Sequence, residues 1–305
     1  MTIWIPDYTA IAAFRENPEA FRLKYRLHLV PATPGDKMRA GSALHAGRRV
    51  LFAGGSVEDA VQAARAHRGE APGARNAEHV ERLMRAYAAV YPRDAEPFEV
   101  VANEAYCEAR IHALRCTGSN ATNYSVLQTG TFCFDFCGIL DSAIRFPDSS
   151  EYVMDCKSTG ASLNAAWQTT MALGDQFTGY VALRRALGHR CDGYFVDAIH
   201  VNDYIRKGAT VPTVDLERDF VRLGPVPVPP WRVERWTRDM QYTLAQIAEL
   251  ERTRGLDTPW PIYQNWPYGK VDEYRDFYET PAELHSETAK LFERRAWSPR
   301  AVADE

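Results

Sequence analysis

Two aspartates and a lysine lie on the two sides of a turn in the middle of the chain. Asp141 closes one apolar stretch, and Asp155 and Lys157 lie at the end of the next. Between them, residues 146–151 combine proline, aspartate and serines, which is turn chemistry, so the two stretches are predicted to form a β-hairpin. If the turn centres on Asp148, then Asp141 and Asp155 lie opposite each other, with Cβ atoms about 5 Å apart.

These three charges are predicted to share one face of otherwise apolar strands. Asp155 and Lys157 are two residues apart and so project to the same side of a strand, away from Met154 and Cys156. Two adjacent carboxylates repel each other unless a cation lies between them, and Mg²⁺ and Mn²⁺ prefer such oxygen ligands. A lysine beside them can orient a water or stabilise charge that develops on a phosphoryl group. Asp-x-Lys alone also fits a surface hairpin with a solvated ion pair.

Four further side chains are candidates to join this site. His45 follows the small residues 41–43, which permit close backbone approach, and a neutral imidazole is a common metal ligand. Gln176 and Tyr180 are i and i+4 on a predicted helix, so they share a face and could hold a bound strand or order the site. Glu104 either helps to bind metal or simply occupies an edge strand. Alternatively, His45 is simply an exposed histidine, and Gln176 and Tyr180 are a pair on a helix surface.

The pattern of apolar residues predicts an α/β protein with a central mixed sheet flanked by helices and an N-terminal helical layer. Predicted helices cover about 8–27, a segment after Gly41, 56–68, 76–90, 175–188, 231–252 and 281–296. Predicted strands cover 98–111, 127–144, 151–157 and 194–200. Asp175 is the expected N-cap of its helix and Gly188 the expected stop. We expect one domain over residues 1–305, in which 1–95 is helical, 96–230 holds the sheet, and 231–305 forms C-terminal helices and an aromatic tail.

Composition excludes several classes of protein. A chain that is 46% hydrophobic and 25% charged is not fully disordered. It has no apolar run of about 18 residues, so we expect no membrane span. The N-terminus lacks the basic and apolar segments of a secretory signal, so we expect a cytoplasmic protein whose cysteines stay as thiols or metal ligands. Without a Cys-x₂-Cys pair, buried thiols are the simpler expectation than a zinc site.

The charge is uneven along the chain. The net charge of −4 argues against a protein that coats nucleic acid non-specifically. Residues 1–50, however, carry eight basic and four acidic side chains. This segment could guide a phosphate backbone, or it could form a solvated helix face.

Asp…Asp-x-Lys on a hairpin resembles the signature of the PD-(D/E)XK nuclease superfamily, and the flanking residues resemble its RecB-type exonuclease branch, especially phage-encoded members. Gly41-Ser42-Ala43-Leu44-His45 resembles the Gly-x-x-x-His helix of this branch, and Gln176 to Tyr180 resembles its Gln-x-x-x-Tyr motif. Glu104 matches a glutamate before the hairpin. Residues 8–25, with Asn17-Pro18 inside, resemble an opening helix that often carries Cys-Pro. The order and spacing fit from about residue 8 to 252.

The resemblance implies a restriction-endonuclease-like core and a metal-dependent deoxyribonuclease, an exonuclease by its branch. The implied ligands of Mg²⁺ or Mn²⁺ are His45, Asp141, Asp155 and the backbone carbonyl of Cys156, with Glu104 as a further candidate. Lys157 is the implied catalytic lysine, while Gln176 and Tyr180 would contact the strand or support the metal ligands. The implied partner is a single- or double-stranded DNA end in recombination, repair or other DNA processing, with recombination or repair proteins as possible further partners.

The chain departs from the family at one feature. Many relatives hold an iron–sulfur cluster with one cysteine at the Cys-Pro position and three near the C-terminus. Here Asn17 fills the first position and no cysteine follows Cys191, so we expect no cluster. Tail aromatics are expected to hold the tail by packing instead: Trp260, Trp266, Tyr268, Tyr274, Phe277 and Tyr278.

Two other functions stay open at this point. The loss of the cluster cysteines suggests, as the main alternative, a catalytically inactive DNA-binding or structural subunit on a nuclease fold. A restriction-type endonuclease would need a separate sequence-reading module, and the sequence has no obvious one. There is no Gly-x₄-Gly-Lys-Ser/Thr loop, so no ATP site is expected.

Overall fold

The computed structural model describes residues 5–31, 36–69, 76–112, 133–202, 204–205, 207–263 and 273–295. The helices are α1 (Tyr8–Glu16), α2 (Pro18–Phe21), α3 (Asp36–Phe52), α4 (Val57–Arg68), α5 (Ala77–Val90), α6 (Ala165–Ala172), α7 (Asp175–Ala186), α8 (Pro230–Arg254), α9 (Arg275–Tyr278) and α10 (His285–Thr288). The strands are β1 (Leu29–Pro31), β2 (Glu99–His112), β3 (Cys133–Arg145), β4 (Glu151–Thr159), β5 (Gly193–His200), β6 (Phe220–Pro227) and β7 (Phe292–Arg294). The predicted α/β class is confirmed.

A five-stranded mixed sheet lies at the centre, with the strand order β2-β3-β4-β5-β6. The pairs β3–β4 and β5–β6 are antiparallel, and β4–β5 is parallel. Helices α6 and α7 follow β4 and lead into β5, as a parallel pair requires. Helices cover both faces of this pair, so β4 and β5 are buried along most of their length.

The chain forms two compact units, which consist of residues 1–33, 108–138 and 234–305, and of residues 34–107 and 139–233. In the first unit, Leu23 and Leu29 pack with Tyr274 and Phe277. In the second unit, α3, α4 and α5 pack with Cys156 of β4 and Ile199 of β5 in one apolar core. Every residue predicted for the functional site belongs to the second unit.

The predicted helix over 8–27 is broken at Asn17. Pro18 has no backbone N–H and starts a new helix, and Asn17 is extended, with φ −153°. Its Oδ1 accepts a hydrogen bond from the backbone N–H of Glu19 at 3.2 Å, and its Nδ2 donates to the Tyr278 hydroxyl at 3.0 Å. Asn17 therefore caps the helix α2.

The ends of the other elements differ in detail from the prediction. The helix α3 begins before Gly41, and Asp175 is the first residue of α7 rather than its N-cap. The predicted helix over 281–296 is wrong, because only short helical turns form there and β7 then pairs with β1. Trp260, Tyr274 and Phe277 are buried as predicted, whereas Trp266, Tyr268 and residues 127–132 lie outside the described residues. Within the described ranges, no helix is both long and apolar enough to span a bilayer.

Candidate functional site

The hairpin has the register that its turn predicts. The Asp148 Oδ1 atom accepts hydrogen bonds from the backbone N–H and the hydroxyl of Ser150, at 2.9 and 2.6 Å, which closes the turn. The pairing between β3 and β4 runs from Arg145–Glu151 to Ser142–Met154. One step further along this register, Asp141 stands opposite Asp155.

Asp141 lies where the two strands begin to separate. Its Oδ2 atom accepts a hydrogen bond from the backbone N–H of Cys156 at 2.7 Å. This side-chain oxygen thus takes the place of the backbone carbonyl that accepts such a bond in a regular sheet. The same oxygen lies 3.4 Å from Nδ1 of His45, which α3 contributes. The N–H and C=O of one strand residue project to the same side, so the Cys156 carbonyl also faces β3. Burial raises the pKa of the Cys156 thiol to about 12, and this side chain packs in the apolar core with α3, α4 and α5.

Asp155 and Lys157 form a close ion pair, with 2.7 Å between Oδ2 and Nζ. The Asp155 side chain is only 4% exposed. Burial raises the pKa of Asp155 above its ordinary value; Asp141 adds to this effect and Lys157 reduces it. Burial disfavours the ammonium form of Lys157, but Asp155 and Asp141 outweigh it and raise the pKa of Lys157. Lys157 is therefore a cation at neutral pH.

The predicted helix pair Gln176 and Tyr180 forms on α7. The Gln176 amide nitrogen donates to the Tyr180 hydroxyl at 2.9 Å. Phe177, the residue after Gln176, lies with its ring centroid 5.6 Å from Lys157 Nζ. The helix that carries the Gln-x-x-x-Tyr pattern is thus next to the lysine, on the same face of the sheet.

Glu104 takes a different place from the other candidates. Its carboxylate pairs with Arg49 at 2.9 Å. None of its contacts with the described residues joins it to His45, Asp141 or Asp155. This pair joins Glu104 to α3, the helix that also carries His45.

A buried charge network behind Asp141 was not predicted from the sequence. Arg48, one turn after His45 on α3, lies 3.8 Å from Asp141 and 3.6 Å from Asp197. Asp197 also accepts from the Tyr87 hydroxyl at 2.5 Å and from Arg222 at 2.6 Å. Burial opposes ionisation of Asp197, but Arg222 and Arg48 outweigh it and hold its pKa below its ordinary value. The sequence feature that could have indicated this network is Asp197, a single charged residue inside the apolar stretch 193–199.

Two of the basic residues in the N-terminal segment are unavailable to a ligand. Arg22 and Arg48 are each 2% exposed. Arg22 is paired with Glu19 at 2.6 Å, and Arg48 belongs to the network around Asp197. Part of the basic excess in this segment is therefore buried inside the protein. These two side chains cannot guide a phosphate backbone.

The donor atoms around the hairpin suit a hard divalent cation only in part. Two carboxylates and one imidazole come from β3, β4 and α3. Across the described ranges, however, no three His, Cys, Asp or Glu side chains are already arranged to hold a metal ion.

No protein-family model and no curated protein matches the chain. Among solved structures, the crystal structure of SSO0001 is similar over 70% of this chain and 78% of its own, at 12% identity and a TM-score of 0.29. A similarity of this size carries no argument about fold or function.

Proposed function

We propose that this chain is a divalent-metal-dependent deoxyribonuclease, an exonuclease that hydrolyses phosphodiester bonds at DNA ends, on a core of the PD-(D/E)XK type. One observation carries the proposal. Asp141 and Asp155 directly follow the last pair of the hairpin, Ser142–Met154, with Lys157 2.7 Å from Asp155 and His45 3.4 Å from Asp141. Two acids, one lysine and one histidine from three elements thus converge, in the order along the chain that the nuclease signature has.

The donor set supports Mg²⁺ or Mn²⁺ as the cofactor. Asp141, Asp155 and His45 would hold the ion, together with the Cys156 carbonyl, which faces β3. Burial and the neighbouring Asp141 raise the pKa of Asp155 in spite of Lys157, and a bound cation would offset this unfavourable charge. When bound, the ion supplies a Lewis acid for the phosphate and lowers the pKa of an attacking water.

Lys157 acts in this proposal as a fixed positive charge. Without a bound ion, Asp155 and Asp141 raise its pKa above the ordinary value, so it carries a positive charge at neutral pH. It can donate hydrogen bonds to an attacking water and to a phosphoryl oxygen that gains charge in the transition state. The Phe177 ring on α7 restricts its motion on one side.

The other side chains orient this core. The backbone N–H of Cys156 fixes one oxygen of Asp141. Gln176 and Tyr180 are tied to each other, which leaves the amide oxygen of Gln176 to contact a DNA strand or a metal ligand. Genome processing, recombination and repair, including those of phages, are the settings that suit such an activity.

A second function has one observation in its favour. The Asp155–Lys157 pair is closed, and no three potential ligands are assembled within the described residues. This suits a catalytically inactive DNA-binding subunit on the same fold. Thermal unfolding with Mn²⁺ separates the two, because an ion that binds only the folded state raises the melting temperature according to RT ln(1 + [L]/Kd). An inactive subunit without a metal site shows no such rise.

The activity itself is tested on end-labelled DNA. Wild-type protein is incubated with linear and circular substrates, single- and double-stranded, in Mg²⁺, in Mn²⁺ and in a chelator. We expect linear DNA to be degraded from its ends only when the metal is present, and circular DNA to persist. Cleavage of circles would indicate an endonuclease, and no cleavage in any metal would contradict the proposal.

A further inference from the structure

A histidine–aspartate pair lies at the end of β5. Nδ1 of His200 is 2.8 Å from Oδ1 of Asp219. The His200 side chain is 21% exposed and the Asp219 side chain 5%. Among the described residues, the only side-chain hydrogen bond of His200 is this one, which uses Nδ1 and leaves Nε2 for a ligand.

Asp219 is held in place from several directions. Its Oδ2 accepts from the backbone N–H of Asp215 at 2.8 Å, and its own N–H donates to the Asp215 carbonyl at 2.9 Å. The backbone N–H of His200 in turn donates to the Asp219 carbonyl at 2.8 Å. The aspartate therefore fixes both the backbone and the ring of His200.

The register places His200 on the same face of the sheet as Lys157. Tyr194 of β5 stacks on Phe177 of α7, with 4.8 Å between centroids, so alternate residues from Tyr194 to His200 face α7. On β4, Lys157 and Thr159 face the same way, and Thr159 is the direct partner of His200.

Lys157 and His200 are therefore diagonal neighbours across a parallel pair. With strands about 4.8 Å apart and a rise of about 3.3 Å per residue, such neighbours are about 8 Å apart, a distance that their side chains can adjust to successive phosphates of a strand. Both residues also lie toward the carboxyl ends of parallel strands, where ligands of α/β proteins commonly bind.

We propose that His200 is a further substrate-binding residue, which donates Nε2–H to a phosphate of the DNA strand one nucleotide from the scissile bond. Asp219 accepts the Nδ1 proton, sets the ring orientation and balances the positive charge of the bound imidazolium. This inference rests on the proposed nuclease function, because Lys157 defines where the scissile phosphate lies.

Two isosteric substitutions separate a phosphate contact from a structural role. The His200→Asn side chain can keep the bond to Asp219 but has no donor at the position of Nε2. The His200→Gln side chain reaches the position of Nε2. His189 is exposed in the turn before β5, at the opposite end of the strand, so His189→Asn is the matched control.

The first measurement is the affinity for a single-stranded oligonucleotide in chelator, followed by KM in Mn²⁺. We expect His200→Asn to raise both Kd and KM about tenfold, the effect of one lost charge-assisted hydrogen bond. His200→Gln should recover part of this loss, and His189→Asn should match the wild type. Equal melting temperatures of the variants show that the fold is intact.

The second measurement changes the DNA as well as the protein. Single methylphosphonate substitutions, which remove the charge of one phosphate, are placed in turn near each end of the oligonucleotide. We expect one position to weaken binding by the wild type about tenfold and to leave His200→Asn unaffected. If no position weakens wild-type binding, or if His200→Asn binds and cleaves like the wild type, this inference is wrong while the nuclease function stands. If the wild type neither binds nor cleaves DNA, both are wrong.

Discussion

At the scale of single residues, Asp155 is held in surroundings that oppose its charge. It is buried, it stands opposite a second carboxylate, and Lys157 compensates only in part, so its pKa is raised. Carboxylates in such positions cost stability and are found mainly where function requires them.

This electrostatic conflict predicts how Asp155 affects stability with pH. The folded-state pKa of Asp155 lies above its unfolded value of about 4, so its contribution to stability is full below that pH and is lost as the pH rises through the folded pKa. Relative to the wild type, Asp155→Asn should therefore gain thermal stability between about pH 4 and pH 7. Melting temperatures of both proteins across this pH range test the prediction. A difference in melting temperature that does not change with pH would contradict it.

Asp148, at the turn of the same hairpin, should show the opposite pH dependence of stability and serves as the control. The Ser150 hydroxyl and N–H hold the pKa of Asp148 below its ordinary value. Its contribution is thus present at neutral pH and is lost as the pH falls through the folded pKa. Asp148→Asn should lose stability at neutral pH, by an amount that shrinks on acidification.

Lys157 is predicted to act on the reaction rather than on binding. Lys157→Met removes the donor beside the reacting phosphate, so we expect kcat to fall about 100- to 1,000-fold with little change in DNA affinity. Lys157→Arg keeps the positive charge but has another geometry, so its kcat should lie between those of the wild type and Lys157→Met. Single-turnover kinetics measure this, and a wild-type rate in the Met variant would remove Lys157 from the mechanism.

At the scale of elements, α3 must approach its neighbours closely to present His45. A Cβ atom on Gly47 would lie 2.9 Å from the Ala60 carbonyl of α4, a backbone atom that cannot move alone. A Cβ atom on Gly41 would meet only the Ser158 hydroxyl, at 2.5 Å, which can rotate away.

These two glycines should therefore respond differently to alanine. Gly47→Ala is expected to cost about 1–3 kcal/mol of unfolding free energy through overpacking, in spite of the better helix propensity of alanine. Gly41→Ala should be close to neutral or slightly stabilising. Urea unfolding of both variants measures the difference, and equal effects would show that α3 and α4 are not packed as described.

The network around Asp197 ties β5 to β6, α5 and α3. Arg222 donates to Asp197 at 2.6 Å and to both Glu96 oxygens at 2.7 Å. Arg222→Met leaves Asp197 buried without its main partner, so we expect a loss of about 3–5 kcal/mol. Arg82→Met removes an exposed helix pair with Glu78 and should change stability little. If both variants unfold at the same urea concentration, the network does not stabilise the fold.

Local chemistry explains which elements the sequence predicts well. The turn around Asp148 fixes the hairpin register, because its hydrogen bonds involve residues only two apart. The strand β6 was harder to recognise, since Pro225 and Pro227 read as breakers, yet an edge strand tolerates them. The pairing of β7 with β1 joins opposite ends of the chain and leaves no local pattern.

At the scale of the whole molecule, the two ends of the chain belong to one compact unit and the candidate site belongs to the other. In the first unit, Asn17 donates to the Tyr278 hydroxyl and Trp260 packs on Phe14 and Phe21, so these contacts join the two ends of the chain. The sequence predicts the residues of the site because they lie in short motifs. It does not predict Arg48, Asp197 or His200, because their partners are distant along the chain.

The most direct test compares two aspartates of the same hairpin. Cleavage of end-labelled linear DNA and affinity for Mn²⁺ are measured for the wild type, Asp155→Ala and Asp148→Ala. The account predicts that Asp155→Ala loses both properties while it stays folded, and that Asp148→Ala keeps both. An Asp155→Ala protein that cleaves DNA at the wild-type rate would contradict the central claim that this hairpin is the catalytic site.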